Sequence, residues 1–264
     1  MTRAHDDRGA DSLEPIAKAD RLLVALDFDG VLAPLVDEPM SARATARGGA
    51  AVDRLAALPR TTVALVSGRS LADLRIIAEH DDASRIWLAG SHGAEHWRPE
   101  GTPAHVDPVA ADTASASLAE AVTADARRLV ADVPGVRIEP KAYGFALHTR
   151  LAGPDETASA QAAIESLVAQ AAPGWRRRTG KDVVEFAWRH EGKDTAVAEL
   201  RKATGASAVL FAGDDVTDED ALRSLCPGDL GVHVGEGETA ASLLVPDPDA
   251  FAELLSALAD LRAS

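Results

Sequence analysis

The run Leu22-Leu23-Val24-Ala25-Leu26-Asp27-Phe28-Asp29-Gly30 constrains this chain more than any other stretch. Five consecutive apolar residues read as a strand buried on both faces, and two carboxylates stand where that strand should stop. Alternation along an extended chain sends Asp27 and Asp29 to one side and Phe28 to the other. Gly30 then allows the chain to turn sharply. Acids at the end of a buried strand are costly to desolvate, so they call for a compensating cation or an anionic ligand with its metal. The pair suits a nucleophilic carboxylate beside an acid/base carboxylate. An exposed Asp-Gly turn after a strand is the plainer alternative, and this segment does not exclude it.

Three further segments have the same character. Thr61-Thr62-Val63-Ala64-Leu65-Val66 is a second apolar strand and ends in Ser67-Gly68-Arg69. Ser67 and the loop N–H groups can hold phosphoryl oxygens, while Arg69 either opens the next helix or braces the loop. A plain serine N-cap is the alternative. Lys193 stands just ahead of a helical pattern beginning at Ala196 and by itself reads as a solvated lysine. Ser207 to Ala212 forms another apolar strand, followed by Gly213-Asp214-Asp215-Val216-Thr217-Asp218-Glu219-Asp220. So many carboxylates in one loop repel one another unless a cation sits among them. Asp218 to Asp220 also suit the acidic first turn of a helix.

Strand patterns near 22–26, 62–66, 86–89, 208–212, 230–234 and 242–245 alternate with helical patterns near 41–58, 70–80, 193–203, 218–225 and 248–262. Such alternation predicts a doubly wound α/β parallel sheet, with ligands bound at the carboxyl ends of its strands. All four segments lie at such ends. Between about 96 and 190 the alternation stops: a turn at Pro99-Glu100-Gly101 between two short strands, a helix near 115–131, strands near 136–139 and 143–150, a helix near 154–172, then strands near 175–179 and 183–188. This predicts a smaller inserted α+β cap over 96–190, on a core of 21–95 and 191–264. The cap is expected to close over the catalytic loops and supply specificity. Lys141, His148 and Arg150 are expected on the face of the cap sheet that would meet a ligand.

In their order, the segments resemble the haloacid dehalogenase superfamily of phosphotransferases. The matching motifs are Asp27-x-Asp29-Gly30, Ser67, Lys193 and Asp214-Asp215 with Asp218. A narrower resemblance, to the trehalose-6-phosphate phosphatases, rests on Ser67-Gly68-Arg69, Gly90-Ser91-His92-Gly93-Ala94-Glu95, Gly180-Lys181-x-Val183-Val184-Glu185 and Gly213-Asp214-Asp215-x-Thr217-Asp218-Glu219. Two departures stand out: Val31 where the family has Thr, and Ala187-Trp188 where Arg-Pro is usual.

The resemblance implies an HAD-like Rossmannoid core and Mg²⁺-dependent release of phosphate from trehalose 6-phosphate. Asp27 is then the nucleophile and Asp29 the acid and base, with Ser67 and Lys193 on the phosphoryl oxygens. The metal falls to Asp27, the Asp29 carbonyl and Asp214, with Asp215 or Asp218 acting through water. Oxygen-only ligands suit Mg²⁺ rather than zinc. Arg69, His92, Glu95, Lys181 and Glu185 join the cap residues as substrate contacts; His92 and Glu95 equally suit a purely structural role at the hinge. Other readings are a phosphatase for a sucrose- or glucosylglycerol-phosphate, and a silent module regulating a sugar-phosphate synthase, for which a missing catalytic acid is the expected mark.

Composition narrows the partners. A net charge of −15 disfavours nucleic acid and anionic membranes. The Arg176-Arg177-Arg178 run therefore reads as a solvated strand edge. With aromatic residues at only 4%, the core must be built from Ala, Val and Leu. Residues 1–20 are expected to be a flexible tail, being neither a signal peptide nor a basic presequence. A single cysteine, Cys226, rules out an internal disulfide and is expected to be packed in a helix end. A cytoplasmic monomer acting on a small sugar phosphate follows, and association with a trehalose-6-phosphate synthase is the one protein partnership the resemblance raises.

Overall fold

The computed structural model describes residues 6–102, 113–180 and 182–264. In chain order the elements are α1 (Asp6–Ala17), β1 (Leu22–Leu26), α2 (Ala46–Ala57), β2 (Thr61–Val66), α3 (Leu71–Ile77), β3 (Trp87–Gly90) and β4 (Glu95–Trp97). There follow α4 (Thr113–Leu129), β5 (Arg137–Lys141), β6 (Gly144–His148), α5 (Pro154–Ala171), β7 (Arg176–Gly180) and β8 (Val183–Ala187). The last are α6 (Lys193–Thr204), β9 (Ala208–Gly213), α7 (Glu219–Ser224), β10 (Leu230–Val234), β11 (Leu243–Val245) and α8 (Pro248–Ala263). The chain divides into two compact units, 1–104 with 191–264, and 105–190.

The larger unit is built on a sheet ordered β11-β10-β9-β1-β2-β3-β4, parallel except for β4. β1 lies at its centre and is wholly buried. Its residues alternate between two cores. Leu22, Val24 and Leu26 pack with Leu13 and Ile16 of α1, Val52 and Leu55 of α2, and Phe251, Leu255 and Leu258 of α8. Leu23 and Ala25 pack on the other face with Ala196, Val197 and Leu200 of α6 and Leu222 of α7. Register does the rest. Leu26 pairs with Leu65 of β2 and Ala212 of β9, so the three loops that follow open at one edge of the sheet.

The structure corrects three expectations here. The tail expected over 1–20 is a helix from Asp6 to Ala17, with Leu13 and Ile16 fully buried against the core. Arg262 fixes its end, donating to the carbonyls of Ala17 and Ala19 at 2.8 and 2.9 Å. Residues 95–97, assigned in part to the cap, form an antiparallel edge strand beside β3 in the main sheet. Cys226 is exposed, because α7 stops at Ser224. The second short strand expected after Gly101 falls on residues outside those described.

The smaller unit is a four-stranded antiparallel sheet, β5-β6-β8-β7, with β7 and its arginines at one edge. Ile138, Phe145, Leu147, Val184 and Phe186 face Val122 and Ala126 of α4 and Ile164 and Val168 of α5. Their strand neighbours project from the other face.

A buried acid that the sequence did not single out ties α6, β9 and the segment after α7 together. The Asp229 side chain is fully buried and accepts from Arg201 Nη1 at 2.6 Å and from the N–H groups of Val209 and Cys226 at 2.9 and 2.7 Å. Truncation strands all three donors, so Asp229→Ala should destabilise the fold by about 3–5 kcal/mol in urea unfolding. A loss under about 1 kcal/mol would show that water replaces the carboxylate freely.

Candidate active site

Asp27 stands one residue beyond β1 and is anchored from both sides of its backbone. Its N–H donates to Ala212 O at 2.9 Å, and its Oδ1 accepts the Phe28 N–H at 2.7 Å. Its Oδ2 lies 2.8 Å from Lys193 Nζ, which also donates to Asp218 Oδ1 at 2.7 Å. Lys193 is only 3% exposed and begins α6 directly after Gly192. Burial alone would strip its charge, but Asp218 and Asp27 outweigh that and hold its pKa above the ordinary lysine value.

Asp218 is already engaged through both of its oxygens. Its other oxygen takes the backbone N–H groups of Asp214 and Asp215 at 3.3 and 3.2 Å, and the residue is fully buried. Asp215 turns outward to accept the Val216 N–H at 2.7 Å. Asp214 is different, for among the described residues its carboxylate accepts no hydrogen bond. A Cβ on Gly30, at φ +77°, would run into that carboxylate, so the turn after Asp29 admits glycine for two reasons.

Ligand oxygens of Asp27, Asp214 and Asp218 all lie within 4.8 Å of one another. Burial pushes the Asp27 carboxyl up to about 7, and burial together with Asp27 pushes Asp214 up to about 8. One ammonium does not neutralise three acids. This oxygen-only donor set, short of positive charge, fits a hard divalent cation such as Mg²⁺. Asp27 and Asp214 are the open donors, while Asp218 serves as the anchor.

β1 ends at Leu26, so Asp29 sits three residues past the strand. A tight turn, with Gly30 N–H bonded to Ala33 O at 2.8 Å, carries it toward the loop after β2. There Arg69 grips it through Nε–Oδ2 and Nη2–Oδ1 contacts of 2.6 and 2.7 Å. Arg69 was expected to brace the loop or touch substrate, and Asp29 as its partner was not foreseen. Ser67 is buried, with its Oγ accepting the Arg69 N–H at 3.2 Å and its carbonyl accepting the His92 N–H at 2.9 Å.

His92 is buried in a left-handed conformation, φ 58°, with its ring on Gly68. Glu95 accepts the Leu71 N–H at 3.0 Å and the Ser91 hydroxyl at 2.5 Å through one oxygen, which makes it a brace for the start of α3. Of the two roles open to Glu95, this geometry supports the structural one.

In the smaller unit, the ladder sets Glu139, Ala146, Glu185 and Arg178 in one row. Lys141 and His148 share that face, away from the helices. Both reach Glu139: Lys141 Nζ to Oε1 at 2.8 Å and His148 Nε2 to Oε2 at 2.6 Å. Glu139 was missed, although its alternation with Lys141 was there to read. Arg150 lies exposed in the turn after β6, and Lys181 is outside the described residues.

Comparison with solved structures gives the class. The C-terminal domain of a trehalose-6-phosphate phosphatase from C. albicans superposes with a TM-score of 0.78 at 23% identity, covering 96% of each chain. A haloacid dehalogenase-like hydrolase from B. subtilis gives 0.57 at 15% identity, covering 88% of this chain and 98% of that one. The fold is therefore haloacid dehalogenase-like. The trehalose-phosphatase family profile matches residues 25–242. The trehalose-phosphate phosphatase of Mycobacterium marinum is 34% identical over 266 residues, 94% of this chain, which spans 65% of that relative's length. The chain belongs to the trehalose-phosphatase family. No helix among the described residues is long and apolar enough to cross a membrane.

The Glu139 cluster yields a pH dependence. The hydrogen bond from His148 is the largest cause holding the Glu139 carboxyl down from 4.5 to about 2. A depressed folded-state pKa adds stability that is complete above the unfolded value and fades as pH falls toward the folded one. The wild type should therefore lose stability between about pH 4.5 and 2 more steeply than Glu139→Gln. Urea midpoints measured at several pH values across that window check this, and parallel curves would refute it.

Proposed function

We infer that the chain is a phosphatase that cleaves trehalose 6-phosphate into trehalose and phosphate through a phosphoryl group carried on Asp27. One observation carries the reading: the buried Lys193 ammonium between Asp27 and Asp218, at 2.8 and 2.7 Å, at the edge where the β1, β2 and β9 loops converge. Such a carboxylate is fixed in position, and an anion entering beside it meets a fixed positive charge. Family membership and the name of the M. marinum relative supply the substrate.

An Asp27 oxygen attacks phosphorus while the bond to the sugar oxygen breaks, and Asp29 gives that oxygen its proton. A water then attacks the phosphoryl group, returns its proton to Asp29 and frees Asp27. Ser67 and Lys193 bind the remaining phosphoryl oxygens. Asp27, Asp214 and the Asp29 carbonyl would hold Mg²⁺, with Asp215 or Asp218 contributing through water. Bound there, the ion supplies charge neutralisation at the phosphoryl oxygens. The smaller unit is assigned sugar recognition, through Glu185, Lys141 and His148 on the sheet face away from its helices, Arg150 in the turn after β6, and Lys181.

Phosphate release from trehalose 6-phosphate, glucose 6-phosphate and sucrose 6-phosphate tests the reading. With Mg²⁺ the first should be preferred, and a chelator should stop the reaction. Preference for sucrose 6-phosphate would keep the chemistry and overturn the substrate. Asp27→Asn should abolish turnover at an unchanged melting temperature; retained turnover would rule out the covalent route. Glu185→Ala should lower kcat/KM for trehalose 6-phosphate by about 1.5–3 kcal/mol, one charge-assisted hydrogen bond, and leave p-nitrophenyl phosphate nearly unaffected. Equal losses on both substrates would remove Glu185 from sugar recognition.

A further inference from the structure

Both carboxylate oxygens of Asp29 are taken by one guanidinium. The two contacts, 2.6 and 2.7 Å, form a planar fork, and the side chains of Arg69 and Asp29 are only 17% and 26% exposed. Neither residue is free to drift. Arg69 is fixed at its backbone by Ser67 Oγ at 3.2 Å and by the Ser91 N–H, which donates to its carbonyl at 2.6 Å. Its remaining nitrogen, Nη1, meets Met40 Sδ at 3.9 Å. Asp29 is fixed by the turn that Ala33 closes, with Ala33 N–H on Phe28 O at 2.9 Å. The guanidinium therefore joins the loop after β1 to the loop after β2.

The reaction assigns Asp29 two opposed services, giving a proton to the sugar oxygen and later taking one from water. A fork of two N–H donors makes Asp29 an acceptor on both oxygens and fixes the plane of its carboxylate. That suits the second service. For the first, one contact must open to admit the proton and the leaving oxygen.

We propose that Arg69 is a positioning residue for the hydrolytic half-reaction, aiming Asp29 at the attacking water and releasing one of its two contacts when Asp29 acts as the acid. The proposal rests on the aspartyl-phosphate reading. It separates Arg69 from the phosphoryl-binding set of Ser67 and Lys193, because its fork is already filled by Asp29.

Rapid-quench kinetics with p-nitrophenyl phosphate and Mg²⁺ tests this, since that leaving group needs little help from an acid. In Arg69→Gln, phosphoryl transfer to Asp27 should persist while hydrolysis slows about 10- to 100-fold, the scale of a misaimed catalytic group. A burst of one nitrophenolate per enzyme should precede slow turnover, and acid-quenched enzyme should carry phosphate above the wild-type level. Arg69→Lys keeps the charge without the fork and should fall between the two. It also decides the matter if Arg69→Gln unfolds by circular dichroism. Slow turnover with no burst, or wild-type kinetics, would overturn the proposal. Asp29→Asn separates the two levels of inference. Phosphoenzyme trapped in that variant but absent from Arg69→Gln defeats the role of Arg69 alone, whereas none in either variant or the wild type defeats the covalent reading beneath it.

Discussion

The end of β1 and the loop after β9 depend on one buried ammonium. Lys193 holds Asp27 with one donor and Asp218 with another, and Asp218 in turn holds the backbone of Asp214 and Asp215. Three elements are thereby fixed to one charge: the end of β1, the loop after β9 and the first turn of α6. The arrangement is not one that stability would choose. A cation in the first turn of a helix opposes the helix dipole, and desolvating three charges together costs more than packing apolar residues of the same volume. A fold that keeps such a group has a use for a fixed positive charge beside a carboxylate.

The cost is limited by close approach of backbone. Gly93 lets the segment after β3 lie against Ala196 on α6, where any larger residue would collide. Gly30 likewise leaves room for Asp214, and Gly68 for the ring of His92. Each contact brings a segment at the carboxyl edge close against its neighbour. Side chains here would hold the loops apart and leave the acids to water, where their mutual repulsion and their pull on Lys193 would both weaken.

The strand ends of the main sheet were legible because burial on both faces makes apolar runs, and polar residues then mark where each run stops. Asp27, Ser67 and Asp214 could be read in this way. Lys193 could not be read alone, since nothing local distinguishes a buried lysine from a solvated one. The Arg69–Asp29 pair was hidden for another reason, in that forty positions separate the partners. The helix α1 was missed because its apolar stripe is short, and its stability comes from packing on α8 rather than from its own propensity. β4 was missed because three residues carry too little pattern to separate an edge strand from the start of a cap.

The family motif Gly90-Ser91-His92-Gly93-Ala94-Glu95 shows how a segment can be diagnostic of a site with part of it standing back from the chemistry. Ser91 and His92 both take left-handed backbone, which turns the chain back under the loop after β2. The Ser91 N–H then meets the Arg69 carbonyl, the His92 N–H meets the Ser67 carbonyl, and Glu95 closes the turn by holding the start of α3. Strained conformations of this kind persist where the surroundings over-determine them. What they hold in place is the backbone of Ser67 and Arg69. The position of the Asp29 carboxylate therefore traces through Arg69 to a turn that holds the backbone of the loop after β2.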